Sequence, residues 1–113
     1  MNAIVAFIKP HKLADVTLAL RKLEGLSGMT VADVRGFGRT RGEGSPDIVP
    51  DDVADFVSKT RIDVFCSDAL APVVVRTIEE NAHTGAHGDG KIYVMDCLTA
   101  LRISTGETGD EAI

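Results

Sequence analysis

The hydrophobic period of this chain switches from strand to helix and back twice over, and few folds accept that order. "NAIVAFI", residues 2–8, is a short apolar run rich in β-branched residues, closed by Lys9 and Pro10. It reads as a buried strand, because proline cannot continue a ladder. From Lys12 to Glu24 the repeat lengthens. Leu13, Val16, Leu20 and Leu23 fall at three- and four-residue steps on one helical face, and Gly25 and Gly28 mark the helix end and a turn. "MTVADVRGF" then alternates, with Val31, Asp33 and Arg35 to one side and Thr30, Ala32 and Val34 to the other, as in a half-buried strand.

The second half repeats the theme. "TRIDVFC" alternates with Ile62, Val64 and Cys66 on one face; Leu70, Val73, Val74, Ile78 and Ala82 keep helical spacing behind a possible cap at Ser67 or Asp68. Pro72 places itself in or near the first turn of that helix. "KIYVMDCL" is a fourth strand, and "TALRISTGETGDEAI" (99–113) is a polar, acidic tail expected to be partly ordered. Between the second and third strands lies a stretch of roughly twenty residues, 38–58, with glycines at its start, two prolines and four aspartates. A connection of that length in a compact domain is usually functional. A projecting loop is the favoured reading, a short helix around "DDVADFV" the alternative. The order β-α-β-loop-β-α-β predicts a single α+β domain over 1–113: a ferredoxin-like, antiparallel four-stranded sheet with two helices on one face. Nothing remains in the chain to cover the other sheet face, so sheet-to-sheet association between copies is expected.

Composition narrows the function. With 113 residues and 44% hydrophobic content there is enough for one modest core. A net charge of -5 opposes general nucleic-acid binding, and 4% aromatics with no tryptophan leaves little to stack on bases. Cys66 and Cys97 sit in separate apolar runs with no C-x-x-C partner, as buried structural thiols do. The apolar N-terminal run lacks a basic leader and is too short to span a bilayer, so a cytoplasmic protein with no direct membrane insertion is expected.

"TGAHGDGKIYV" nearly spells a phosphate-binding loop: Gly85 to Lys91 reads G-x-x-x-x-G-K, but Ile92 stands where magnesium would need Ser or Thr. The context is also reversed, since a helix ends before the glycines and a strand begins after them. The Walker reading therefore fails. A different cradle stays open alongside a plain turn, because closely spaced glycines let backbone N–H groups converge on an anion, and Lys91 adds charge at the rim.

Five stretches together decide for the cradle: "AFIKPHKLADV", "GMTVADVRGFGR", "TGAHGDGKIYV", "LRISTGE" and the ending "DEAI". In this order they resemble the PII nitrogen-regulatory signal proteins nearly end to end, with Tyr93 where that family usually has Phe or Trp. The resemblance implies a homotrimer whose three sheets face inward, with ATP or ADP, with or without magnesium, in clefts between subunits. It implies that 2-oxoglutarate joins magnesium-ATP there, and that loop 38–58 docks on a target, a membrane transporter or a metabolic enzyme. Gly36, Gly38 and Arg39 match nucleotide-contacting positions, and Thr30 matches one near the adenine. Gly88, Asp89, Gly90 and Lys91 match the phosphate-binding stretch, Arg102 a basic residue from the neighbouring subunit, and Lys59 the lysine that pairs with 2-oxoglutarate. Arg39, Lys91 and Arg102 could together neutralise a polyphosphate in an otherwise acidic protein.

The departures from that pattern carry expectations of their own. Asp52 stands where some members are uridylylated on tyrosine, so regulation without that modification is implied. Thr40 replaces the glutamine that organises magnesium and 2-oxoglutarate; Ala86 and Ser104 replace two cationic residues. Each lost charge-assisted bond would be worth about 1–2 kcal/mol, or roughly tenfold in affinity. Weaker or altered ATP binding is expected, with 2-oxoglutarate a doubtful co-ligand.

His83 and His87 are four apart but separated by glycine, which does not suit a helical metal pair, and no metal ligand is assigned. Asp47, Asp51, Asp52 and Asp55 read as a solvated acidic loop, with a divalent-ion contact or a basic partner surface as alternatives. A metal- or other small-ligand-responsive regulator on the same scaffold, for example of a metal-efflux transporter, is accordingly the second reading. No nucleophile–base pair is present, so no catalytic residue is assigned and an enzyme is not expected.

Overall fold

The computed structural model describes residues 1–38 and 56–113. Its elements run β1 (Asn2–Ile8), a 3₁₀ turn (Pro10–Lys12), α1 (Leu13–Arg21), β2 (Thr30–Gly36), β3 (Val57–Cys66), α2 (Ala71–Ala82) and β4 (Gly90–Asp96). The strands form one antiparallel sheet in the order β2-β3-β1-β4, the ferredoxin-like arrangement expected from the sequence. Arg39 and Thr40, most of the 38–58 loop, its possible short helix and its four aspartates fall outside the described residues.

The core is the helix-facing side of the two central strands. Ile4, Ala6 and Ile8 of β1 meet Ile62, Val64 and Cys66 of β3 beneath Val16 and Leu20 of α1 and Ala71, Val74, Ile78 and Ala82 of α2. Alternation along the strands and three- and four-residue steps along the helices put these residues on one buried layer. Burying side chains such as Ile62 or Ile78 completely is worth about 1.5–3 kcal/mol each.

Several boundaries and exposures differ from the periodicity reading. Proline at the start of the turn 10–12 opens α1 through a 3₁₀ segment, and the helix stops at Arg21, so Leu23 packs on the core from beyond it. Val73, read as apolar-face, is 42% exposed, because Pro72 sits in the first turn of α2 and the buried stripe runs through Ala71 and Val74. Neither Ser67 nor Asp68 is the cap residue of α2, which is Leu70; the Ser67 hydroxyl accepts from the Leu70 N–H at 3.3 Å in the turn before the helix. β2 is more exposed than a half-buried strand, since it lies at the sheet edge, beyond the helices. β3 begins at Val57, so Val57 and Ser58, read as the end of the loop, belong to the sheet. The tail is more structured than its polarity suggests. Arg102 N–H donates to Glu107 O at 2.9 Å, a bridge joins Leu101 to Thr108, and a 3₁₀ turn covers Gly109–Ala112.

Among the described residues, no helix lies over the second face of the sheet. Ala3, Val5 and Phe7 of β1 stand opposite Met95, Tyr93 and Lys91 of β4, and opposite Phe65, Asp63 and Arg61 of β3. Phe65, Tyr93 and Met95 are about half exposed. Arg61 closes a two-pronged ion pair with Asp63 (2.9 and 3.0 Å) and lies 5.7 Å above the Phe7 ring, which itself meets Tyr93 edge-on.

Candidate functional site

Antiparallel pairing gathers the carboxyl ends of β1 and β2 and the amino ends of β3 and β4 at one edge of the sheet. Ile8 pairs with both Thr60 and Gly90, Val34 with Lys59, and Gly36 with Val57. A cavity of about 790 Å³ opens there. Its walls come from the end of β1 and the turn after it, from the end of β2, from the start of β3, and from the glycine loop with the start of β4. That volume is within the usual range for a small-molecule site.

The glycine loop is one wall. Gly85, Gly88 and Gly90 have φ of 85°, 82° and 109°, a region comfortable only for residues without a Cβ. At Gly90 the requirement is absolute: a Cβ would lie 1.6 Å from the Phe7 carbonyl oxygen. The loop is braced by Asp89. Its carboxylate accepts from the Thr84 N–H at 2.8 Å, the Thr84 hydroxyl and the Gly85 N–H at 3.2 Å, and pairs with Lys9 Nζ at 3.1 Å. These bonds, those from Thr84 foremost, hold the Asp89 carboxyl well below the usual carboxylate range. Lys9 also donates to the Thr84 hydroxyl at 3.0 Å.

Lys59 crosses from β3 and donates to the Gly88 carbonyl. Partial burial, then the neighbouring Lys9 charge, lowers its pKa below the ordinary lysine value. An anion entering the cavity would add counter-charge beside Lys59, whose ammonium donates to a carbonyl rather than to a carboxylate, and so oppose both causes. Among the described lining residues, Lys9, Arg35, Lys59 and Lys91 stand against a single carboxylate that is already spent inside the loop. A cavity with that balance, beside glycines that let a backbone come close, suits a multiply charged anion.

Of the residues singled out from the sequence, Gly36, Gly38, Lys59, Gly88, Asp89, Gly90 and Lys91 line this one cavity. Arg39 lies outside the described residues. Thr30 is at the far end of β2 from Gly36, about 20 Å away at the rise of a strand, and Arg102 is in the C-terminal turn, its guanidinium donating to Ile113 O at 3.4 Å. Neither lines the cavity of its own chain. Asp89 has its carboxylate turned into the loop, where it shapes the wall and leaves its backbone to face an anion. Lys9 and His11 were missed as site residues, although both stand in the quoted "AFIKPHK". What could have found them is register, since the end of β1 must lie beside the start of β4.

The comparisons with known proteins agree with this fold. The family model "Nitrogen regulatory protein P-II" matches residues 1–107. Nitrogen regulatory protein P-II 1 of Escherichia coli K12 is 43% identical over 113 residues, all of both chains. The Azospirillum brasilense protein P-II is 42% identical over the same extent. Among solved structures, Arabidopsis thaliana PII bound to citrate superposes with a TM-score of 0.80 at 34% identity, covering 99% of this chain and 91% of that one. Fold, glycine loop and full-length similarity lead to one conclusion: this chain belongs to the nitrogen regulatory protein P-II family of signalling proteins.

Proposed function

We propose that this protein is a cytoplasmic, nucleotide-responsive regulator that assembles as a homotrimer and binds ATP or ADP, with or without magnesium, at the clefts between subunits. The observation that carries the reading is the cation-walled cavity beside the glycine loop, with Lys9, Lys59 and Lys91 facing it and no unspent carboxylate among its described lining residues. Backbone N–H groups of Gly88 to Gly90 and the Lys91 ammonium would hold phosphates, and Arg102 and Thr30 would come from a neighbouring copy, which accounts for their distance from the cavity of their own chain. The uncovered sheet face, with Phe65, Tyr93 and Met95, is the surface that the copies would bury against each other.

Occupancy of the cavity is read out through residues 38–58, whose first residue, Gly38, and last, Val57 and Ser58, line it. That segment would dock on a transporter or enzyme of nitrogen or carbon metabolism. The chain's single tyrosine, Tyr93, is in β4, and Asp52 occupies the place of the modified tyrosine, so this regulation would proceed without uridylylation. With Thr40 in place of glutamine and Lys59 held on the Gly88 carbonyl, 2-oxoglutarate must compete for Lys59 without an amide to help, and weak co-binding follows.

Calorimetric titration of the purified protein with ATP, ADP and 2-oxoglutarate, with and without magnesium, tests this alongside light scattering for mass. Micromolar to sub-millimolar nucleotide binding to a trimer is expected. A monomer, or no heat from either nucleotide at millimolar concentration, would overturn it.

A further inference from the structure

Two imidazoles share the cavity with the cations, and nothing in the reading so far uses them. His11 enters from the 3₁₀ turn after β1, His87 from the glycine loop one residue before Gly88, and both are exposed to the cavity's solvent. The charged groups facing them are Lys9, Arg35, Lys59 and Lys91, with Asp89 the one carboxylate of the described lining. Asp89 is saturated by Thr84, Gly85 and Lys9, and Lys59 is occupied by the Gly88 carbonyl. Among the described residues, neither His11 nor His87 has an acidic partner. The third histidine, His83, is not among the residues that line this cavity; its Nδ1 lies 3.5 Å from Asp89.

An imidazole is the side chain whose charge ordinarily changes between about pH 5 and 8, and a neighbouring anion favours its charged form. A polyphosphate in this cavity brings several negative charges beside both rings, while the acidic group that might otherwise hold their protons is already committed. We infer that His11 and His87 are proton-linked phosphate-binding groups, so that a nucleoside polyphosphate entering this cavity takes up protons and binds more tightly as the pH falls from 8 to 6. Each ring takes up one proton from the buffered solvent, keeps it as a ring N–H, and through that N–H donates a charge-assisted hydrogen bond to a phosphate oxygen; no other bond changes. This rests on the nucleotide reading above and adds a second input to it, the proton.

The test is calorimetry of magnesium-free ATP with wild type, His11→Gln, His87→Gln, the double variant and His83→Gln. Titrations at pH 6 and pH 8, each in two buffers of different ionisation enthalpy, give affinity and proton uptake. The phosphates of ATP titrate in this range too, equally for every variant, so the difference between variants carries the result. A hydrogen bond from a charged group is worth about tenfold or more. Wild type should therefore gain at least about tenfold more affinity between pH 8 and pH 6 than the double variant, with correspondingly greater proton uptake. The single variants should fall between, and His83→Gln should match wild type. Equal pH dependence and proton uptake in wild type and the double variant would overturn the inference while leaving nucleotide binding intact. Absence of ATP binding at both pH values would overturn the nucleotide reading and this inference with it.

Discussion

Replacing Gly90 with alanine should damage the protein far more than the same change two residues earlier. A Cβ at Gly90 would sit 1.6 Å from the Phe7 carbonyl oxygen and 2.8 Å from its carbon, where under 3.0 Å something must move. Both atoms are backbone of β1, one of the two central strands, so no side chain can swing aside. β1 and β4 must part at the Ile8–Gly90 pair, at the mouth of the cavity. The backbone also has φ of 109°, which a side chain tolerates poorly. Conformational strain of about 1–3 kcal/mol and overpacking of about 1–3 kcal/mol bring the loss to about 2–6 kcal/mol. At Gly88, φ is 82° but the nearest atom is the Lys59 ammonium nitrogen at 3.4 Å, the movable end of a long side chain. Only the left-handed backbone is penalised there, by about 1–2 kcal/mol. Thermal and urea melts at one fixed subunit concentration measure both variants; each kcal/mol moves the midpoint by about 4–8 °C in a domain near this size. Equal midpoints for Gly88→Ala and Gly90→Ala, or a Gly90→Ala midpoint within two degrees or so of wild type, would refute the packing argument.

The depressed Asp89 pKa sets a pH window. A carboxylate held below its unfolded value stabilises the fold above that value and loses the contribution as pH falls through the folded one. Asp89→Asn should therefore melt below wild type by a constant margin down to about pH 5, the margin shrinking below the ordinary carboxylate value near 4; a margin already gone at pH 5 would contradict the loop-brace role. Phe65→Glu, on the uncovered sheet face and outside the helix-side core, should release folded monomers in light scattering with the far-ultraviolet spectrum preserved. An unchanged assembly mass would show that this face is not what joins the copies.

How much was legible in the sequence followed from range. Periodicity is local, and it identified all four strands, both helices and the buried stripe of Val16, Leu20, Val74 and Ile78. It misplaced Val73 because helical spacing alone does not fix where a stripe begins; Pro72 did that by setting the first turn. The exposure of β2 depended on sheet order, which no stretch of twenty residues contains. The site divided in the same way. Gly88 to Lys91 were visible as a run, whereas Lys9 and His11 join them only through the β1–β4 register. Asp89 was recognised as part of the loop, but its partners Thr84 and Lys9, five and eighty residues away, decide that its carboxylate faces inward.

The Arg61–Asp63 pair on the open sheet face has a consequence for a newly synthesised subunit. Both prongs close within a single strand, and the guanidinium rests on Phe7 of the same chain. In the proposed trimer neither charge needs a counterpart from another copy, so a subunit carries its own neutralised polar lid into the interior of the complex. Before assembly, that lid would keep polar groups over part of a face that also exposes Phe65, Tyr93 and Met95.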